Sequence, residues 1–306
     1  MKIAVLDLGT NVFNLLTARI SKNECNILNV YKVGSNIGRG GFRNGNLSEE
    51  SVLSALEAIG QMVEVIEKQG GVDEIACFAT SAVRDASNKE ILVKAVKERF
   101  NIDIMVISGD REAELIYKGI RESLLLYNEK VLMVDIGGGS NELIIADKER
   151  IYYKESFPLG VIRMKEIINP SDPITQDEIK AYTDYLDSVL SGFFEKIKTY
   201  SPSLMIGASG SFDTLRELIF PQDNGEMPAM ELPLKSFSRL HNRLLASTKQ
   251  ERFAMAGMSP LRAEYMVLGS IFVEYLIRKV NIKELYQSSY SLKEGYMAEC
   301  AEIIEQ

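Results

Sequence analysis

The sequence has little of what disulfide-bonded and thiolate-metal proteins need. Three cysteines occur in 306 residues, Cys25, Cys77 and Cys300, and they are far apart in the chain. An odd number at such wide spacing fits neither a disulfide framework nor a zinc site. We therefore expect a protein of the reducing cytoplasm.

Long apolar runs are also missing. A membrane-spanning helix needs roughly 18 or more consecutive apolar residues. The best candidate, residues 269–277, is interrupted by Glu274. Because the N-terminus enters a predicted strand at once, we expect no signal peptide. The sequence thus predicts neither a membrane segment nor a membrane partner.

Histidine is scarce as well, and acidic residues outnumber basic ones. The one histidine, His241, lies in a predicted amphipathic helix and is expected to be a surface or core residue, so acid–base chemistry falls to carboxylates. The net charge of −8 argues against non-specific nucleic-acid binding, which depends on clustered basic residues. A phosphate-rich substrate would have to be held by a local site, and very long polyanions are disfavoured.

One stretch, Val131–Ala146, reads VLMVDIGGGSNELIIA and predicts a phosphate-binding hairpin. An apolar strand ends at Asp135, three glycines follow, and a second apolar strand begins after Glu142. Glycines permit a tight turn and the close approach of a ligand to the backbone. The N–H groups of such turns bind anions, and the flanking carboxylates can hold a divalent cation.

The same pattern occurs at the N-terminus, where Lys2–Ala18 aligns with Lys130–Ala146. Asp7 falls on Asp135 in this alignment. The repeat predicts two similar half-structures that face each other across a cleft. The first hairpin carries Asn14 where the second carries a glutamate, so we expect the metal on the second hairpin.

Helix signals separate the remaining predicted strands, and the first half is expected to follow the order β-β-β-α-β-α-β-α. Ser87 and Glu90 are predicted to form a capping box. In the second half, a capping box of Thr175 and Glu178 predicts one long helix. The segment 221–233 is expected to be an irregular connection.

The loops of the chain resemble those of the acetate kinase, sugar kinase, Hsp70 and actin superfamily. More narrowly, the chain is similar to short members of the exopolyphosphatase / guanosine pentaphosphate phosphohydrolase (Ppx/GppA) family. The motifs that carry the resemblance are Asp7–Asn11, Thr80–Ala86, Ser108–Gly119, Asp135–Glu142, Pro158–Arg163, the loop at Gly207, Arg262–Glu264 and Lys293–Gly295. One glycine loop is weak evidence, whereas all of these motifs in order over nearly the whole chain are strong evidence.

The resemblance implies an α/β fold of two ribonuclease-H-like (actin-like ATPase) domains on either side of an interdomain cleft. We expect the domains at 1–122 and 123–306, the second with helical insertions, and the last helix to be able to pack back on the first. The resemblance also makes a homodimer a family-level expectation.

The resemblance further implies a metal-dependent hydrolase that removes the terminal phosphate from inorganic polyphosphate or guanosine pentaphosphate. By the family's pattern, Glu112 is the catalytic base that activates water, and Asp135 and Glu142 hold Mg²⁺ or Mn²⁺. The residues implied to contact phosphate are Gly9, Thr10, Asn11, Arg84, Gly137, Gly138, Gly139, Ser140, Gly207, Gly210 and Ser211. A carboxylate suits the role of Glu112 because hydrolysis of a phosphoanhydride needs a positioned, deprotonated water.

Six positions depart from the family's pattern: Val12, Asn36, Arg111, Asn141, Ser209 and Glu264. Two of them bear directly on phosphate and nucleotide binding. Val12 stands where a hydroxyl residue is usual and cannot donate to a phosphoryl oxygen. Ser209 stands where the third loop usually has its second glycine. These departures motivate one alternative, a catalytically weak sensor that binds a nucleotide or polyphosphate. Another alternative is an ATP-dependent phosphotransferase of the same superfamily.

Overall fold

The computed structural model describes residues 1–21, 24–38, 41–124 and 129–304, which form an alternation of strands and helices. The strands are β1 (Lys2–Leu8), β2 (Val12–Ser21), β3 (Glu24–Gly34), β4 (Glu74–Ala79), β5 (Ile104–Val106), β6 (Val131–Ile136), β7 (Asn141–Ala146), β8 (Ile151–Phe157), β9 (Leu204–Ala208), β10 (Ala229–Glu231) and β11 (Glu284–Ser288). The helices are α1 (Gly41–Asn44), α2 (Glu49–Lys68), α3 (Ser81–Arg84), α4 (Lys89–Phe100), α5 (Gly109–Ser123), α6 (Val161–Ile168), α7 (Gln176–Val189), α8 (Ser191–Tyr200), α9 (Ser209–Ile219), α10 (Leu234–Ala246), α11 (Lys249–Phe253), α12 (Met266–Val280) and α13 (Leu292–Ile304).

The chain divides into two compact units, Met1–Glu122 with Ser291–Gln306, and Ser123–Tyr290. Helix α13 therefore belongs with the first unit. Over the described residues, the first sheet has five strands in the order β3-β2-β1-β4-β5, and the second has six in the order β10-β11-β9-β6-β7-β8.

The two sheets share one topology, as the sequence repeat predicts. In the first, β1 pairs antiparallel with β2 and parallel with β4. In the second, β6 pairs antiparallel with β7 and parallel with β9. The registers also correspond, since Asp7 lies opposite Asn14 and Asp135 opposite Glu142. The predicted α/β fold with two domains of the ribonuclease-H-like type is confirmed.

Apolar side chains explain why the strands adopt these positions. Every residue of β6 and β7 is buried. Both faces of these strands are therefore covered, which explains why their sequences are mostly apolar and do not alternate between apolar and polar residues. The helices of the second unit also contribute to the core, where Tyr182, Leu186 and Phe193 are buried. Within the described residues, no helix combines the length and the apolar character needed to cross a bilayer.

Three local expectations were wrong. Ser87 and Glu90 form no capping box, because α4 starts one residue later and its N-cap, Asn88, turns its side chain to the backbone of Leu47. The helix capped by Thr175 ends at Val189, where a serine–glycine pair follows and a second helix begins. The segment 221–233 contains the short strand β10 at the edge of its sheet.

Helix α13 packs directly on the backbone of α5. A Cβ added to Gly295 would lie 1.8 Å from the carbonyl oxygen of Leu115, and one added to Gly119 would lie 1.9 Å from that of Ser291. Two glycines thus allow the two helices to approach more closely than any larger residue permits. The Arg111 guanidinium forms a two-pronged ion pair with a glutamate of α13, so charge adds to the packing.

The substitution Gly295→Ala is expected to destabilise the first unit by about 3 kcal/mol, because overpacking forces the two helices apart. Urea unfolding measures the loss. The control is Gly192→Ala in α8, where an added Cβ meets nothing within 4 Å. The control should be neutral or slightly stabilising, since alanine favours helix. Equal effects of the two substitutions would contradict this account of the packing.

Candidate active site

Glu112 lies in the first turn of α5 and is 8% exposed. The Ser108 hydroxyl accepts a hydrogen bond from the backbone N–H of Arg111 at 3.2 Å and so supports the start of this helix. Arg84 Nη1 donates to Glu112 Oε2 at 2.7 Å and to the carbonyl oxygen of Ile107 at 3.3 Å. The structure therefore brings the expected base together with the expected phosphate ligand Arg84. A carboxylate held in one orientation by a guanidinium can position a water molecule and accept a proton from it.

The first glycine loop, Gly9–Asn11, joins β1 to β2 and is tightly held. The Thr10 hydroxyl lies 3.0 Å from that of Ser81, at the start of α3. The carbonyl oxygens of Thr10 and Asn11 accept hydrogen bonds from the backbone of the 35–38 segment. A Cβ at Gly9 would lie 2.8 Å from the carbonyl oxygen of Val12, so the turn needs glycine. The loop is thus a rigid element.

The second glycine loop, residues 137–140, is held by the start of α6. The carbonyl oxygens of Gly137 and Gly138 accept hydrogen bonds from the first N–H groups of α6, and Arg163 Nε donates to the carbonyl oxygen of Gly139 at 2.7 Å. In a trans peptide the N–H points away from the C=O. The N–H groups that follow these carbonyls therefore turn away from α6, as an anion-binding loop requires.

Close packing against the second loop makes Gly160 intolerant of a larger residue. A Cβ added to Gly160 would lie 2.3 Å from the backbone nitrogen of Gly139. The motif Pro158–Arg163 thus supports the loop as well as starting α6. Ser140 closes the loop, since its carbonyl oxygen accepts from the N–H of Gly137 at 3.0 Å.

The two hairpins differ at the cross-strand pair that flanks each loop. In the first, Asn14 Nδ2 donates to Asp7 Oδ2 at 2.9 Å, so an amide satisfies the carboxylate. In the second, Asp135 and Glu142 are directly opposed and buried, which places two carboxylates on one face of the sheet. Two like charges so close together are unfavourable unless a cation or a proton lies between them.

The third loop, Gly207–Ser211, comprises the end of β9 and the first residues of α9, and it contacts the second hairpin. The Ser209 hydroxyl donates to Asp135 Oδ2, and the Ser211 hydroxyl donates to the carbonyl oxygen of Ile136 at 3.4 Å. A Cβ at Gly207 would overlap the ring of Phe212. Asp135, Glu142 and the second and third loops therefore lie together in the second unit.

Arg262 is a site residue that the sequence did not assign. A Cβ added to Gly210 would lie 1.9 Å from Arg262 Nη2, so the guanidinium rests on the third loop. Burial lowers the pKa of Arg262, while the charges of Asp213 and Asp135 act in the opposite direction. A cation at this place can attract a phosphate oxygen. The motif Arg262–Glu264 is part of the family resemblance, but nothing in the motif indicates which loop the arginine contacts.

The carboxylate pair suits a magnesium-type cation. Within the described residues, no cluster of three or more histidine, cysteine, aspartate or glutamate side chains could hold a metal by itself. Mg²⁺ is commonly bound by one or two carboxylates, with water and substrate phosphates completing its shell. Asp135 and Glu142 fit that arrangement and could hold the ion.

His241 takes no part in either group of site residues. Its Nδ1 lies 3.1 Å from the Ser270 hydroxyl, and its ring stacks on Phe237. Burial lowers the pKa of His241 to about 4, with the charge of Arg278 acting in the same direction. The imidazole is a neutral core residue at pH 7, in agreement with the sequence interpretation.

Comparison with known proteins identifies the family. The model of the Ppx/GppA phosphatase family matches residues 17–302. The chain belongs to the Ppx/GppA phosphatase family. Its phosphoanhydride-hydrolase class, expected from the motifs, is confirmed by this membership.

Individual Ppx/GppA relatives are similar over most of the chain. Exopolyphosphatase 1 of Mycobacterium leprae is 26% identical over 299 residues, which cover 96% of this chain and 88% of that protein. A bifunctional 3-dehydroquinate synthase/phosphatase of Fusobacterium nucleatum is 28% identical over 90% of this chain, which spans only 43% of that longer protein. The crystal structure of an exopolyphosphatase from Cytophaga hutchinsonii superposes with a TM-score of 0.96 at 35% identity and covers 99% of both chains.

Proposed function

We propose that this Ppx/GppA protein hydrolyses the terminal phosphoanhydride bond of a small polyanion, either inorganic polyphosphate or guanosine pentaphosphate. The observation that carries the proposal is the difference between the two hairpins. The first pairs an aspartate with an amide, whereas the second opposes the carboxylates of Asp135 and Glu142 beside a glycine loop. Similarity to exopolyphosphatases supports polyphosphate as a substrate.

Substrate binding is assigned to the loops of the second unit. The backbone N–H groups of residues 138–140 would cradle the terminal phosphate, and the Arg262 guanidinium would attract a second phosphate oxygen. Asp135 and Glu142 would hold Mg²⁺ or Mn²⁺, which neutralises phosphate charge when bound. The first loop, Gly9–Asn11, is proposed as a further phosphate contact.

Glu112 is proposed as the general base. Its carboxylate orients a water molecule in line with the scissile bond and takes one proton as the water oxygen bonds to phosphorus. The P–O bond to the shortened chain breaks, and that chain leaves as an anion. Arg84 fixes the orientation of Glu112 through the 2.7 Å hydrogen bond.

The alternative of a catalytically weak sensor is less well supported. A protein that only binds a phosphate has no use for the Glu112 carboxylate, because a negative charge repels the phosphate ligand. The same residue has a direct use in hydrolysis. The other alternative is transfer of the phosphoryl group to an acceptor molecule. Product analysis distinguishes it from hydrolysis, because hydrolysis releases orthophosphate.

A phosphate-release screen tests the proposal. The purified protein is incubated with polyphosphates of several lengths, guanosine pentaphosphate and ATP, with and without Mg²⁺. We expect orthophosphate from polyphosphate or guanosine pentaphosphate, only with the cation. Tight binding of these compounds without turnover would favour the sensor, and transfer of phosphate to an acceptor would contradict hydrolysis.

The proposal also covers the cellular compartment and the oligomeric state of the protein. The three cysteines are free thiols, which suits a cytoplasmic protein. We propose a homodimer on the basis of the family resemblance. Light scattering of the purified protein measures its mass, and a monomer at micromolar concentration would contradict the dimer.

A further inference from the structure

Ser209 has a backbone conformation that its residue type disfavours. Its φ angle is +67°, in the left-handed region where a Cβ clashes with the backbone. Of the five other described non-glycine residues with positive φ, Asn36 lies in a loop, and the other four, Asn101, Asn169, Ser201 and Asn281, are C-caps of helices, where this conformation is common. Ser209 instead begins a helix, α9, so the usual explanation does not apply to it.

The side chain of Ser209 offers a reason for retaining a serine. Its hydroxyl donates to Oδ2 of Asp135, a carboxylate directly opposite Glu142. Glycine would suit the backbone and would lack this hydrogen bond.

We propose that Ser209 is a positioning residue for Asp135, whose hydroxyl fixes the carboxylate plane so that the aspartate can hold a divalent cation together with Glu142. The inference rests on the proposed function. Groups that hydrogen-bond to a metal ligand orient it, and their loss commonly weakens metal binding by roughly 10- to 100-fold. The strained backbone at Ser209 is then the cost of placing a donor beside Asp135.

Three variants of the full chain separate the hydroxyl from the backbone strain. Ser209→Ala removes the hydroxyl and keeps the strain, whereas Ser209→Gly removes both. Ser201→Gly is the matched control, because Ser201 also has positive φ but ends α8 and donates only to the backbone of its own helix. Titration calorimetry with Mn²⁺ alone measures cation binding, and thermal unfolding without metal measures stability.

We expect Ser209→Ala and Ser209→Gly to raise the Kd for Mn²⁺ roughly tenfold or more. Ser209→Gly should melt roughly 2 °C above Ser209→Ala, because only glycine relieves the backbone. Ser201→Gly should leave the Kd unchanged. A Kd for Ser209→Ala within about twofold of the original protein would overturn the inference, as would an original protein that binds no Mn²⁺.

The inference and the proposed function can fail separately. An original protein that binds Mn²⁺ but releases no orthophosphate from any substrate would contradict the hydrolase, while a hydroxyl-dependent Kd would still support the role of Ser209. Full turnover together with an unchanged Kd in Ser209→Ala would leave the hydrolase and overturn the positioning role.

Discussion

The substitution Glu112→Gln is expected to lower kcat for orthophosphate release by roughly 10³-fold, within the usual range for loss of a general base. The amide has nearly the shape of the carboxylate and its oxygen can still accept from Arg84, so the local structure should persist. It cannot take a proton from water. Orthophosphate release with saturating substrate and Mg²⁺ measures the change, and KM should change far less than kcat because the phosphate-binding loops are intact.

Glu114→Gln is the matched control for this experiment. Glu114 lies on the same helix, its side chain is 42% exposed, and it pairs with Arg111 at 3.5 Å. It should retain activity within about twofold, since surface ion pairs contribute little. Turnover by Glu112→Gln close to that of Glu114→Gln would show that Glu112 is not the base.

The second large effect concerns the metal. Asp135→Asn is expected to weaken Mn²⁺ binding by roughly 100-fold or more, because it removes a charged ligand of the proposed cation. Asp7→Asn is the matched control, since Asp7 holds the same place in the first hairpin and already faces an amide, Asn14. We expect Asp7→Asn to leave Mn²⁺ binding within about twofold of the original value.

This pair of variants tests which hairpin holds the cation. Equal losses in both variants would indicate a cation shared by the two loops. Loss in Asp7→Asn alone would place the cation on the first hairpin and contradict the proposal. Titration of Mn²⁺ without substrate keeps the result independent of turnover.

Much of the fold was predictable because it depends on local patterns. The hairpin with an aspartate before its glycine turn occurs twice in the sequence. The same register is found in both sheets, with Asp7 opposite Asn14 and Asp135 opposite Glu142. Capping boxes were less reliable. Thr175 caps its helix as expected, whereas the side chain of Asn88 binds the backbone of a residue 41 positions away, which no local pattern indicates.

The parts of the site that depend on distant contacts were not predictable. Arg262 reaches the third loop only because Gly210 leaves room for its guanidinium. Arg84 was expected to contact phosphate, and the sequence gave no sign that it would pair with Glu112, which lies 28 residues further along the chain. The hydrogen bond from Ser209 to Asp135 likewise depends on how β6 and β9 pair. Such contacts follow from sheet order and helix packing rather than from residue patterns.

In the proposed reaction, the terminal phosphoryl group of the substrate is transferred to water. The direct measurement is mass spectrometry of the orthophosphate released from polyphosphate or guanosine pentaphosphate in ¹⁸O-labelled water. We predict one ¹⁸O atom in each released orthophosphate, a single-step shortening of the substrate, and loss of the labelled product in Glu112→Gln. Orthophosphate without the label, or phosphate found on an acceptor molecule, would contradict the account.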